Sequence, residues 1–184
     1  MFAEKPTLTG ERVRLLPVGP EHVEGLITLI SDPEVQRLTG SHGEVDHDVA
    51  RQWYSTRGEH ADRLDLAIMA GDEYVGEVVL NELDRHNLSC NLRIALIGAR
   101  VFGKGYGTEA IELVLGHAFA TTPLHRIGLG VFTFNDRARH VYKKIGFVEE
   151  GVQRDTLLWE GEWHDSVTMS VLRPEWQSRS GSLA

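Results

Sequence analysis

Three glycines at alternate positions, Gly103, Gly105 and Gly107, fall within Val101-Phe102-Gly103-Lys104-Gly105-Tyr106-Gly107-Thr108-Glu109-Ala110. This stretch joins an apolar run, Leu92 to Ile97, that reads as a strand, to a run with helical apolar spacing, Ala110 to Phe119. Glycine has no side chain to bury, so a triplet here serves the backbone, allowing a sharp turn and a close approach to a ligand. At a strand-to-helix junction, free N–H groups and the helix dipole favour an anion. Gly98 to Lys104 has the GxxxxGK spacing of a nucleotide-hydrolase loop, but Gly105 stands where the Mg²⁺-holding Ser or Thr is needed. The GxGxG spacing is also not the GxGxxG of a dinucleotide fold, and no repeated βαβ plan accompanies it. Taken alone, the triplet reads first as a bare structural loop.

The surrounding elements follow from periodicity and punctuation. Arg12 to Leu16 reads as a first strand, and a helix starts at Pro20-Glu21 with Val23, Leu26, Ile27 and Ile30 on one face. It stops near Ser31-Asp32-Pro33, because proline disfavours helix at the preceding residue. A second helix spans Asp46 to about Glu59. Strands at Leu64–Met69 and Tyr74–Leu80 are joined by Gly71-Asp72, and Asp84 to Asn87 is the next turn. Beyond the glycine loop, Ala110, Ile111, Val114, Leu115, Ala118 and Phe119 form a helical stripe, with Glu109, Glu112 and His117 left outside. Arg126 to Thr133 is a strand, Asn135 to Ile145 a helix ending at Gly146, and Phe147–Arg154 another strand. Leu157–Trp159 and Trp163–Leu172 flank Gly161-Glu162 as a final hairpin. The pattern predicts an α+β domain over residues 1–176, with helices packed on a sheet, and a polar, frayed tail over 177–184.

Composition narrows the classes of function. A chain of 184 residues with 41% hydrophobic content fits one domain. The N-terminal residues lack the apolar core of a signal peptide, no apolar run is long enough to span a membrane, and Cys90 is the only cysteine, so the cytoplasm is the expected location. Nineteen basic against 27 acidic residues give a net charge of −8, which disfavours nucleic acid as a partner and opposes a polyanion at long range. A phosphate site must therefore be built locally. The nine histidines are scattered without HExxH spacing or a Cys/His cluster, so no metal is expected.

Some thirty residues after the glycines comes Asn135-Asp136-Arg137-Ala138-Arg139-His140-Val141-Tyr142-Lys143-Lys144-Ile145-Gly146-Phe147. Here the chain resembles the GNAT N-acetyltransferases, whose later segment reads N-x-x-A-x-x-x-Y-x-x-x-G-F and whose acyl-CoA loop reads [Q/R]-x-x-G-x-[G/A]. The later pattern is met at Asn135, Ala138, Tyr142, Gly146 and Phe147. The loop fits in two registers, Arg100-x-x-Gly103-x-Gly105 and Phe102-x-x-Gly105-x-Gly107. The second is preferred, because GKGYGTEA is typical of the branch holding the ribosomal-protein N-terminal and spermidine acetyltransferases. Leu8 to Leu15, Asp32-Pro33-Glu34-Val35, His125-Arg126-Ile127, Gly146 to Gly151, and His164-Asp165 with Met169 extend the resemblance over about residues 8 to 176.

The resemblance implies a GNAT fold, with a mixed, mainly antiparallel sheet of six to seven strands flanked by about four helices. It also implies acetyl-CoA as co-substrate, with its pyrophosphate over the backbone of Phe102, Gly103, Lys104, Gly105, Tyr106, Gly107 and Thr108. The pantetheine arm would run beside Leu96, Ile97 and Gly98. Asn135 would bond the arm from the other side; a helix N-cap is its other role, and the two can coexist. Lys104, Arg137, Arg139, Lys143 and Lys144 are candidate cations, Arg139 and Lys143 foremost; a solvated helix face is the alternative for the last four. Tyr142 matches the family's general acid. The carboxylate that relatives carry just before the fourth strand is missing at Asn91-Leu92, which leaves Glu77, Glu82, Asp84 or His86 as base, or a water chain. The acceptor would be a primary amine: a protein N-terminus, a polyamine or another small amine. Its pocket would be made by His42 to Glu59 and Leu157 to Trp163, where Trp159 and Trp163 either line it or pack the sheet. An acyl-CoA-binding sensor without catalysis is the competing class. Homodimers are common in such a family, and the residues fix no stoichiometry.

Overall fold

The structure, a computed structural model, describes residues 1–43 and 46–181. A single sheet is built from β1 (Leu8–Thr9), β2 (Arg14–Pro17), β3 (Leu64–Ala70), β4 (Glu73–Asp84), β5 (Ser89–Leu96), β6 (Arg126–Phe132), β7 (Val148–Trp159) and β8 (Glu162–Leu172). Their order is β1-β2-β3-β4-β5-β6-β8-β7, and every neighbouring pair is antiparallel except β5–β6. The helices are α1 (Val23–Ser31), α2 (Pro33–Thr39), α3 (His47–Thr56), α4 (Tyr106–Thr121), α5 (Asp136–Ile145) and α6 (Arg173–Gly181). Among the described residues, no helix is long and apolar enough to cross a membrane.

Eight strands and six α-helices stand where six to seven strands and about four helices are expected. Strand β1 pairs only Leu8 with Leu15 and Thr9 with Arg14, too short a run to carry a readable alternation. The two strands expected at Phe147–Arg154 and Leu157–Trp159 are one, β7, which starts at Val148 and is interrupted by a register shift between Gln153 and Leu157 where Asp155 takes φ 53°. Pro33 does end α1, but it also begins α2: Asp32 caps the new helix by accepting from the N–H groups of Glu34 (2.9 Å) and Val35 (3.0 Å). Helix α6 enters the stretch read as a frayed tail, with Trp176 tilted against Phe119 at 6.3 Å; residues 182–184 lie outside those described.

The alternation of strand side chains divides the sheet into two faces. One buries Leu66, Val78, Leu92 and Ile127 against the whole predicted stripe of α4, from Ala110 to Phe119, and against Tyr142 and Ile145 of α5. The other carries Ala67 beneath Val23, Leu26, Ala50 and Tyr54 of α1 and α3, and Ala95 beneath Leu29 and Val35.

Glu109, expected on the outer face of α4, braces the β1–β2 turn. Its carboxylate accepts from the N–H groups of Glu11 (2.6 Å), Arg12 (2.8 Å) and Val13 (2.9 Å). A Cβ at Gly10 would lie 2.6 Å from the Glu109 carboxyl carbon, so a side chain there would displace the carboxylate that braces the turn. Glu109→Ala is expected to cost about 1–2 kcal/mol, since charge-assisted bonds to three donors are lost at a partly wet site. Urea unfolding with a lowered midpoint and unchanged slope checks this.

Candidate active site

The parallel pair β5–β6 holds together only at Ser89–Arg126, Cys90–Ile127 and Asn91–Gly128. Beyond Asn91 the strands part, and the β6-facing edge of β5 from Leu92 to Leu96 has no partner strand among the described residues. A cleft of ≈ 640 Å³ opens in the gap, lined by Asn91 to Leu96 on one side and Gly130, Val131 and Phe132 on the other. Such an edge offers backbone N–H and C=O groups to an extended, amide-bearing ligand.

The glycine loop closes the α4 end of this cleft. Gly103 (φ 74°) and Gly105 (φ 84°) both occupy the left-handed region, and Gly105 is the N-cap of α4, which starts at Tyr106 rather than Ala110. Gly107 therefore belongs to the first helical turn. A Cβ there would make ordinary contact with the Leu96 side chain at 3.4 Å, so the helix start lies directly against β5. The N–H groups of residues 103–108 find no acceptor among the described residues; the first to do so is Glu109, to the carbonyl of Gly105. Phe102, Gly103, Gly105, Tyr106, Gly107 and Thr108 all line the cleft. Arg100 instead pairs with Glu73 outside it, which fits the Phe102 register of the loop motif.

Helix α5 forms the facing wall. Asn135 lines the cleft while its Oδ1 accepts from the Ala138 N–H at 3.2 Å, so its capping role is realised and its amide N–H₂ is left over. Tyr142 is buried, its ring tilted against Phe147 at 5.8 Å. It lines the cleft, and its hydroxyl bonds to none of the described residues. Burial pushes its phenol up to about 12, so it keeps its proton at neutral pH.

Several expected contributors lie elsewhere. Arg139 donates to Glu149 (2.9 Å) and Asp136 (3.2 Å), and Lys143 pairs with Glu149 at 3.0 Å, so neither lines the cleft. Both stand two residues from the cleft-lining Val141, hence on the opposite side of the helix. The cations of α5 that do line the cleft are Arg137, its guanidinium 3.5 Å from the Phe102 ring centroid, and Lys144. Lys104 is exposed beside the cleft but not on its wall. Ile97 gives its N–H to Val75 and is buried, and Gly98 (φ 57°) turns the chain away, so Leu96 alone of that trio lines the cleft.

The four candidate bases separate cleanly. Glu82 (φ 52°), Asp84 and His86 stand at the β4–β5 turn, where β5 and β6 are still paired, and Asp84 is occupied in accepting from the N–H groups of His86 and Asn87. Glu77 lies at the open end, directly opposite Ala95. It lines a small cavity of ≈ 40 Å³ that shares Val35, Thr39, Arg93 and Ala95 with the main cleft, enough space for a water molecule. Burial pushes the Glu77 carboxyl up, against the pull of a hydrogen bond from Tyr54 (3.1 Å) and the positive charges of Arg93 and Arg63.

On the α1–α3 face, the cleft is bounded by Val35, Leu38 and Thr39 of α2 and by Thr156 and Ser166 of the β7–β8 hairpin. These were not singled out from sequence. In the expected segments, Trp159 stacks on His42 at 5.0 Å and Trp163 is 60% exposed, and neither lines the cleft; residues 44 and 45 lie outside those described.

The acetyltransferase (GNAT) domain model matches residues 12–148. An uncharacterized N-acetyltransferase of Bacillus subtilis strain 168, YokL, derived from prophage SPbeta, is 23% identical over 94% of this chain and 97% of its own length. The Escherichia coli K12 enzyme named [ribosomal protein uS5]-alanine N-acetyltransferase is 32% identical over 44% of this chain and 41% of its own. The crystal structure of Vibrio cholerae spermidine N-acetyltransferase in complex with CoA and spermine shares the fold, with a TM-score of 0.84 at 21% identity, covering 91% of this chain and 99% of that one.

Proposed function

The chain belongs to the GNAT acetyltransferases, and from that premise we propose that it moves an acetyl group directly from acetyl-CoA to the nitrogen of a primary amine, with Tyr142 as acid and Glu77 as base. The observation that carries this reading is the parting of β5 from β6 beside a loop of unpartnered N–H groups, with a free phenol between them.

In this reading the pyrophosphate sits over the N–H groups of residues 103–108 at the start of α4, and Arg137 and Lys144 offset its charge. The pantetheine amides pair along the free edge of β5. The neutral amine attacks the thioester carbonyl, forming N–C as C–S breaks. The nitrogen gives up its extra proton to Glu77 across the small cavity, and the leaving thiolate takes the Tyr142 proton. Both side chains are then reset by exchange with solvent.

The donor half is tested by equilibrium titration with CoA. Arg137→Gln/Lys144→Gln is expected to weaken binding roughly tenfold, as two charge-assisted contacts are lost at a partly exposed site, whereas Arg139→Gln/Lys143→Gln changes it less than about twofold. The opposite ranking would place the phosphates on the other side of α5. The sensor alternative predicts the same CoA binding but no thiol release with any amine, and the free hydroxyl of Tyr142 favours the enzyme.

A further inference from the structure

Arg93 lines both the main cleft and the small cavity holding Glu77, on the sheet face away from α4 where an acceptor would enter. It is exposed, and no carboxylate among the described residues lies within ion-pair distance of it. The wall around it is neutral: Val35, Leu38, Thr39, Ala95, Phe132 and Ser166. Among the described residues, not one Asp or Glu lines the main cleft, in a chain of net charge −8. A polycationic amine entering here would meet a fixed positive charge and, apart from the half-buried Glu77, no carboxylate among the described lining residues to offset it. A guanidinium with free donors, on a cleft wall without Asp or Glu among the described residues, suits a planar oxyanion.

We propose that the acceptor is a primary amine that also carries a carboxylate, bound by Arg93, and that polyamines are poor acceptors. This rests on the acetyltransferase reading above. The carboxylate could belong to a free amino acid or to the second residue of a peptide, and the chemistry at Arg93 is the same.

The test uses thiol release from acetyl-CoA with matched acceptors: L-methionine with its amide and its decarboxylated amine, L-glutamate with its diamide, the peptide amides Ala-Glu-NH₂ and Ala-Gln-NH₂, and spermidine. Carboxylate-bearing members are expected to have at least tenfold higher kcat/KM than their partners, and the amino-acid and peptide arms tell the two sources apart. Arg93→Gln should raise KM for carboxylated acceptors about tenfold or more and leave their neutral partners within about twofold. Arg93→Glu should shift preference toward the decarboxylated amine and spermidine. Because Arg93 also acts on Glu77, a role only through that base would instead lower kcat for every amine alike and move the pH profile. That result, or a preference for spermidine in the wild type, overturns the proposal. If no amine is turned over although acetyl-CoA binds, the acetyltransferase reading fails separately. Titration of L-methionine and L-glutamate into the CoA complexes of wild type and Arg93→Gln then decides the present point, and equal affinities or no binding would refute it.

Discussion

Tyr142→Phe is expected to lower kcat by about 10²–10³-fold while the Kd for acetyl-CoA stays within about twofold. The substitution removes one oxygen and keeps the ring that packs on Phe147. That oxygen bonds to none of the described residues, so its loss leaves no protein donor or acceptor stranded, and thermal stability should hardly change. What disappears is the proton for the departing thiolate. Because burial holds the phenol up at about 12, the acid is fully protonated through the physiological range, and no falling limb assignable to Tyr142 should appear below about pH 10. Steady-state thiol release over pH 6–10, together with acetyl-CoA titration, separates turnover from binding. Equal turnover in the variant would remove Tyr142 from the chemistry.

Glu77→Gln is expected to reduce kcat/KM by about 10²-fold near neutral pH. The amide oxygen can still accept from Tyr54, so the local packing is retained while the proton acceptor is lost. The sign of the pH dependence follows from the direction of the shift. Burial raises the carboxyl above its ordinary value, and only the ionised form is a base, so activity rises with pH through that raised value. Acceptor amines also lose a proton as pH rises, which gives a second limb. Comparing two acceptors of different basicity separates them: the amine's limb moves with the acceptor, the Glu77 limb stays and vanishes in Glu77→Gln. A variant retaining the fixed limb would assign it elsewhere.

The glycine loop and the α5 wall of the cleft were legible because each is local in sequence. The glycine loop, the α4 stripe and the segment from Asn135 to Phe147 are each contiguous, so spacing alone ties residue type to position. The choice among cations needed one further local step, the helical phase: Arg137 lies one turn before Val141, whereas Arg139 and Lys143 point away. Glu77 and Arg93 were another matter. What separates Glu77 from Glu82, Asp84 and His86 is the β4–β5 register, which sets Glu77 opposite Ala95 at the open end of the sheet. Arg93 lies in an alternating strand like any surface residue, and only the divergence of β6 turns that stretch of β5 into a cleft wall. Short or irregular pieces were equally hidden: β1 is held by Glu109 from the distant helix α4, and β7 is split by its register shift.

Direct transfer of an acetyl group to an amine is tested by counting both products in one reaction. Purified protein, acetyl-CoA and the amine panel are incubated, free thiol is titrated, and the acetylated amine is quantified by mass spectrometry. One N-acetyl group per thiol released is expected, at a rate well above the amine-free background and strongly reduced in Tyr142→Phe. Acetyl-CoA that binds with no thiol release above that background for any amine would contradict it and identify a sensor.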